Sequence, residues 1–203
     1  DRTLAIAFIW TRVSCSTGSG WSKRKRVLEY LNGSLEEFLT LGADDICKML
    51  TWVDASYAVH VDMKSHTGGA ISFGRGAVMS KSSKQKLNVK SSTEAELVGA
   101  SDYLPYSIWA KKFLEAQGYR LQKNVFYQDN QSTIRVEENG RKSCGPNSRH
   151  IDIRYFFIKD RMEIEDFVVK HCPTEQMLAD FFTKPLQGNL FRKFREVIMG
   201  HKH

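Results

Sequence analysis

The four cysteines, Cys15, Cys47, Cys144 and Cys172, are scattered through 203 residues, and no two form a CxxC pair. That spacing argues against a zinc knuckle, whose ligands arrive as close pairs. Reduced thiols of a cytosolic or nuclear protein are the expectation. His171 and Cys172 are adjacent but lack the second ligand pair that a metal site needs. No apolar run approaches the roughly 20 residues that span a bilayer, so no membrane partner is expected. The first residues lack the basic-then-apolar order of a secretory leader. The chain opens in mid-pattern at Asp1-Arg2-Thr3, without a Met, which reads as a fragment or a processed product. The glycines at 68, 69, 74 and 76 join strand to strand, whereas a phosphate loop opens a helix. Nucleotide binding by such a loop is therefore not expected.

What is present is the composition of a folded protein, 41% hydrophobic and 26% charged, enough for one sizeable domain plus a further segment. The net charge is +7, which favours a polyanionic partner. The positive charge falls in three blocks: Lys23 to Arg26; Lys81, Lys84, Lys86 and Lys90; and Arg135, Arg141, Lys142, Arg149 and Arg154. Taken singly, each block is equally well explained as a solvated face.

Residues 4–13 read as an apolar helix. Trp21 to Leu31 reads as an amphipathic helix that presents the first basic block, ended by Asn32-Gly33. Leu35 to Leu41 is a strand candidate, and a boundary is placed near 42–45. From Ile46 the pattern becomes α/β. A first strand, Lys48 to Val53, ends on Asp54. A turn at 64–69, a strand at 70–73, a tight turn at 74–76 and a strand at 77–80 continue it as an antiparallel meander. A long helix starts near Ser91-Ser92-Thr93, with Ser92 or Thr93 as N-cap, and carries Pro105. The strand 124–128 ends at Asp129, ahead of a helix at 134–138. A helix from Arg149, a strand at 165–170, a helix opened by Pro173-Thr174-Glu175 that contains Asp180, and an amphipathic piece at 190–199 complete the chain.

An acid at the end of an apolar strand is costly unless a cation, a salt-bridge partner or a helix N-terminus uses its charge. Asp54 alone leaves all three readings open. Three further acids fall in comparable places: Glu96 in the long helix, Asp129 at a strand end, and Asp180. Glu94 competes with Glu96. The two lie about 200° apart on the helix, and a capping role explains one of them. Leu97-Val98-Gly99-Ala100 follow Glu96, so its turn packs closely on the sheet and Glu96 is the acid expected to point inward. Four acids drawn from distant elements repel one another unless cations neutralise them.

The element order with these acids resembles the ribonuclease H fold. The segments Val53-Asp54-Ala55-Ser56-Tyr57-Ala58, Ser91-Ser92-Thr93-Glu94-Ala95-Glu96-Leu97, Gln128-Asp129-Asn130-Gln131, Arg149-His150-Ile151-Asp152 and the run from Pro173 to Leu186 resemble the ribonuclease H domain of copia-type LTR retrotransposon Pol polyproteins. The resemblance covers about residues 46–186. Residues 1–41 resemble the C-terminal end of the adjoining reverse transcriptase, without the polymerase's own catalytic motifs, and 187–203 are a C-terminal helix and tail.

The resemblance implies a mixed five-stranded sheet, three antiparallel strands and then parallel additions, flanked by helices. It also implies hydrolysis of the RNA strand of RNA–DNA hybrids during reverse transcription. Two Mg²⁺ ions, or Mn²⁺ in their place, are implied at Asp54, Glu96, Asp129 and Asp180, with no small-molecule cofactor. His171 is the implied assisting histidine and His150 its rival. Ser56, Ser92, Asn130, Gln131, Arg149 and His150 are the implied contacts to the hybrid, whose 2′-hydroxyls mark the RNA strand. The implied partners are the hybrid and the rest of the reverse transcriptase, in a cytoplasmic virus-like particle or the nucleus. A non-catalytic connector that tethers a polymerase is the alternative. An integrase or transposase relative shares the fold but not this wording.

Overall fold

The computed structural model describes residues 2–13, 17–43, 45–129, 149–165 and 167–201. The side chains of residues 149–152 and 155 lie outside that description. The elements in order are α1 (Thr3–Trp10), α2 (Gly18–Asn32), β1 (Gly42–Ala43), β2 (Lys48–Ser56), β3 (His66–Ser72), β4 (Gly74–Arg75), β5 (Met79–Lys84), α3 (Ser92–Ala116), β6 (Lys123–Gln128), α4 (Arg149–Ile164), β7 (Phe167–His171) and α5 (Gly188–Ile198). Two 3₁₀ turns, Thr174–Gln176 and Leu178–Phe182, lie between β7 and α5.

The main sheet runs β5-β3-β2-β6-β7. β5, β3 and β2 are antiparallel, and β6 and β7 join in parallel. This is the expected ribonuclease H-like sheet. Alternation along β2 sends Met49, Thr51 and Val53 into the interior. They meet α3 through Leu97, Ala100 and Leu104, and α4 adds Ile158 and Met162. The Thr51 and Ser107 hydroxyls, both buried, satisfy each other at 3.1 Å. The opposite face is covered by Phe181 and Phe182 of the second 3₁₀ turn and by Phe194 and Ile198 of α5. Side chains such as Phe126, Phe182 and Phe194 are almost wholly buried, each stabilising the fold by about 1.5–3 kcal/mol.

β3 is buried along its whole length, and its two glycines explain how. A Cβ on Gly68 would lie 2.6 Å from Phe182 Cβ, and one on Gly69 would lie 2.5 Å from the Tyr103 ring. Neighbouring strand residues face opposite sides. One glycine therefore admits the C-terminal layer and the other admits α3. The expectation of a turn at 64–69 fails for this reason: these glycines serve close packing within a strand, not chain reversal.

Other expectations shift. Leu35 to Leu41 forms no strand; the two-residue β1 pairs antiparallel with β4 instead. The third meander strand lies at 79–84 rather than 77–80. It is a polar edge strand, so it lacks the apolar pattern. α3 runs through Pro105 as one helix. The residues around Asp180 form a short 3₁₀ turn rather than an α-helix. The expected helix at 134–138 lies outside the described residues. α1 packs against β5, and Phe8 stacks on the buried pair His60 and His66. Among the described residues no helix is long and apolar enough to cross a membrane.

Candidate active site

Parallel pairing sets the centre of the site. β2 and β6 run in register from Lys48↔Lys123 to Trp52↔Tyr127. Two residues further on, the same register places Asp54 beside Asp129. Asp54 is not the last residue of its strand: it pairs with Gly68, and β2 continues to Ser56.

Glu96 arrives from the first turns of α3. That helix is capped by Ser91, not by Ser92 or Thr93. The Ser91 hydroxyl accepts from the Glu94 backbone N–H at 3.1 Å, and the Glu94 carboxylate accepts from the Lys90 N–H at 2.7 Å. Glu94 is thus the acid used for capping. Glu96 is left 5% exposed, with Oε2 buried and without a hydrogen-bond partner.

One carboxylate oxygen from each of Asp54, Glu96 and Asp129 lies within 4.8 Å of the others. At that separation a pair of unit charges repels by about 3–4 kcal/mol at an effective dielectric constant of about 20. The carboxyl groups respond as expected. Burial pushes Glu96 well above its ordinary value, and Asp54 and Asp129 push it further. Burial and Asp54 also raise Asp129. Asp180, buried and facing Asp54, is lifted to about 6 although Lys184 opposes the shift. A site that penalises ionisation of its own acids suits a bound cation, and the donor set is wholly hard oxygen.

Asp180 stands apart from the three-acid cluster. Its Oδ1 accepts from Lys184 Nζ at 2.7 Å, and the same ammonium lies 3.5 Å from Asp54 Oδ1. The other Asp54 oxygen accepts a short hydrogen bond from the Thr183 hydroxyl. The Ser56 hydroxyl donates to the Thr183 carbonyl at 3.1 Å and ties β2 to the 3₁₀ segment. Sequence reasoning assigned no role to Thr183 or Lys184. The signal was the Asp180-Lys184 spacing of four residues, which brings side chains together on one turn.

Of the remaining expected residues, His171 is exposed at the end of β7 and its field lowers Asp129. Ser92 is exposed at the start of α3. Asn130 and Gln131 lie outside the described residues. Arg149 and His150 begin α4, and their side chains lie outside the description. Cys172, beside the acids, is pushed up to about 11 by burial and by Asp129 and Asp180, which leaves it a protonated thiol rather than a nucleophile.

No family model matches the chain. It is 34% identical over 185 residues to the retrovirus-related Pol polyprotein from transposon TNT 1-94 of Nicotiana tabacum, a match that covers 90% of this chain and 14% of that one. The chain is homologous to a segment of plant retrotransposon Pol polyproteins. A second Pol polyprotein, from transposon RE2 of Arabidopsis thaliana, is 30% identical over 200 residues, covering 98% of this chain and 14% of the relative. The chain thus spans about 14% of the length of these Pol relatives. Among solved structures, LC11-RNase H1 in complex with RNA/DNA hybrid shows a TM-score of 0.46 at 18% identity, covering 66% of this chain and 93% of that one. The foamy viral protease-reverse transcriptase in complex with dsDNA shows 0.47 at 16%, covering 71% and 96%.

Proposed function

We propose that this chain is the ribonuclease H of a retrotransposon Pol polyprotein and hydrolyses the RNA strand of RNA–DNA hybrids. The observation that carries the reading is the cluster of Asp54, Glu96 and Asp129, with the buried, unpartnered Oε2 of Glu96 within it. Homology to Pol polyproteins supports it. Asp54, Glu96 and Asp129 would hold one divalent cation, and Asp54 with Asp180 a second, Mg²⁺ or Mn²⁺. Bound there, such ions supply an activated water and stabilise charge on the leaving oxygen.

The chain's own residues do the positioning. Thr183 and Lys184 fix both oxygens of Asp54, so its orientation is set before substrate arrives. Burial keeps bulk water from competing for Glu96. His171, exposed at the end of β7 and close enough to influence Asp129, is read as the assisting histidine. The exposed Lys23, Lys25 and Arg26 of α2 and the half-buried Lys81 and Lys84 of the edge strand β5 supply positive charge for the hybrid's phosphates. Residues 1–41 are read as the end of the reverse transcriptase, 46–186 as the ribonuclease H domain, and 187–203 as its C-terminal helix and tail.

The test is cleavage of a labelled RNA–DNA hybrid with Mg²⁺, beside RNA-duplex and DNA-duplex controls and the Asp54→Asn variant. RNA-strand cutting confined to the hybrid and lost in Asp54→Asn is the expected result. Hybrid binding without cutting, by protein shown to be folded, would overturn the reading in favour of a connector.

A further inference from the structure

Lys184 puts a positive charge inside the carboxylate site, where the proposed second cation would sit. Its ammonium bridges Asp180 at 2.7 Å and Asp54 at 3.5 Å. These are the two acids to which the second cation is assigned. The three-acid cluster, by contrast, takes in Asp54, Glu96 and Asp129. The two places therefore differ: one presents a buried oxygen without a partner, and the other presents a cation already seated. The seat is also asymmetric. The side chains of Asp54 and Asp180 are 2% and 3% exposed, whereas that of Lys184 is 37% exposed. The acids are fixed in the fold. The lysine is a point charge on a flexible four-carbon stem and can withdraw to solvent without repacking the core.

We infer that Lys184 is a built-in counter-ion that holds the second cation's place between Asp54 and Asp180, so that a divalent ion enters there only as the ammonium leaves. This rests on the cation-dependent reading proposed above. Lys184 is thus a positioning residue that makes the two cation sites unequal. The first fills without competition. The second fills against a tethered charge whose effective concentration is set by its own stem. Thr183, which bonds the other Asp54 oxygen, keeps that carboxylate oriented through the exchange. The device offsets part of the negative charge on Asp54 and Asp180 and holds the two side chains in place when the second ion is absent.

The experiment is a calorimetric titration of the full chain with Mn²⁺, without nucleic acid, on the wild type, Lys184→Gln, Lys184→Arg and Asp129→Asn. The wild type is expected to take one ion and then a second at least tenfold more weakly. Lys184→Gln keeps the first affinity and gains at least tenfold in the second, and Lys184→Arg behaves as the wild type. A second affinity unchanged or weakened in folded Lys184→Gln would overturn the assignment. If that variant does not fold, ¹⁵N NMR of the lysine ammonium groups in the wild type, titrated with Mg²⁺, decides the matter. A restrained Lys184 signal lost at the second equivalent supports displacement; a signal that stays unchanged to saturation refutes it. Absence of any ion binding, with Asp129→Asn indistinguishable from the wild type, would instead bring down the cation reading itself, and this inference with it.

Discussion

Asp180→Asn is expected to make the cation-free protein more stable at neutral pH while removing an acid that the proposed chemistry needs. Asp180 is lifted from its ordinary 3.8 to about 6, chiefly by burial and then by Asp54. An acid whose folded value is raised favours the fold when protonated. Its contribution is fully present below 3.8 and is lost as pH rises through about 6. With about 1.4 kcal/mol per pKa unit, a charged Asp180 costs the fold about 3 kcal/mol at pH 7.5, a large part of the roughly 5–15 kcal/mol that holds a domain together. Asparagine keeps the shape without the charge. The difference between variant and wild type should therefore be near zero at pH 4, grow between pH 4 and 6, and level off above. Urea unfolding in EDTA at pH 4, 5, 6 and 7.5 measures it. Saturating Mn²⁺ should shrink or reverse the gain at pH 7.5, because the wild type then has its charge neutralised. A variant less stable than the wild type in EDTA at pH 7.5, or a difference that does not change with pH, would refute the reasoning.

Three further substitutions separate the roles of neighbouring residues. Glu94→Ala removes the capping carboxylate and should cost about 1 kcal/mol of stability with hybrid cleavage unchanged, as read by melting and by initial rate. Glu96→Gln should do the reverse, abolishing cleavage and raising cation-free stability, since burial and two acids disfavour its charge. Gly68→Ala forces a Cβ into Phe182; overpacking of about 1–3 kcal/mol and reduced cleavage are expected together, because the segment that moves carries Asp180. Full activity in a destabilised Gly68→Ala would show that this contact does not govern the site.

The sequence showed the acids and the sheet because both follow local rules. Asp54 and Asp129 sit where an apolar run meets a charge, and Glu96 was separated from Glu94 by helical angle and by the small residues that follow it. The same local rules misled at Gly68 and Gly69. Paired glycines signal turns when read alone, and only the layers on both sides of β3 show why a side chain is excluded. β5 was misplaced because an edge strand of serines and lysines carries no burial pattern. Lys184 was overlooked because its meaning depends on Asp54, 130 residues away along the chain. A pairwise contact at that separation leaves no periodicity to read.

The in-register pairing of β2 with β6 also says which changes the site can tolerate. The distance from Asp54 to Asp129 is held by a backbone ladder, so it does not depend on the length of the connections between the two strands or on their outward side chains. Loops can lengthen and surfaces can drift while the carboxylates keep their spacing. Removing a single residue from within β2 is different in kind. It reverses the facing of the residues on one side of the deletion and turns Asp54 away from Asp129, while every functional side chain is still present in the chain.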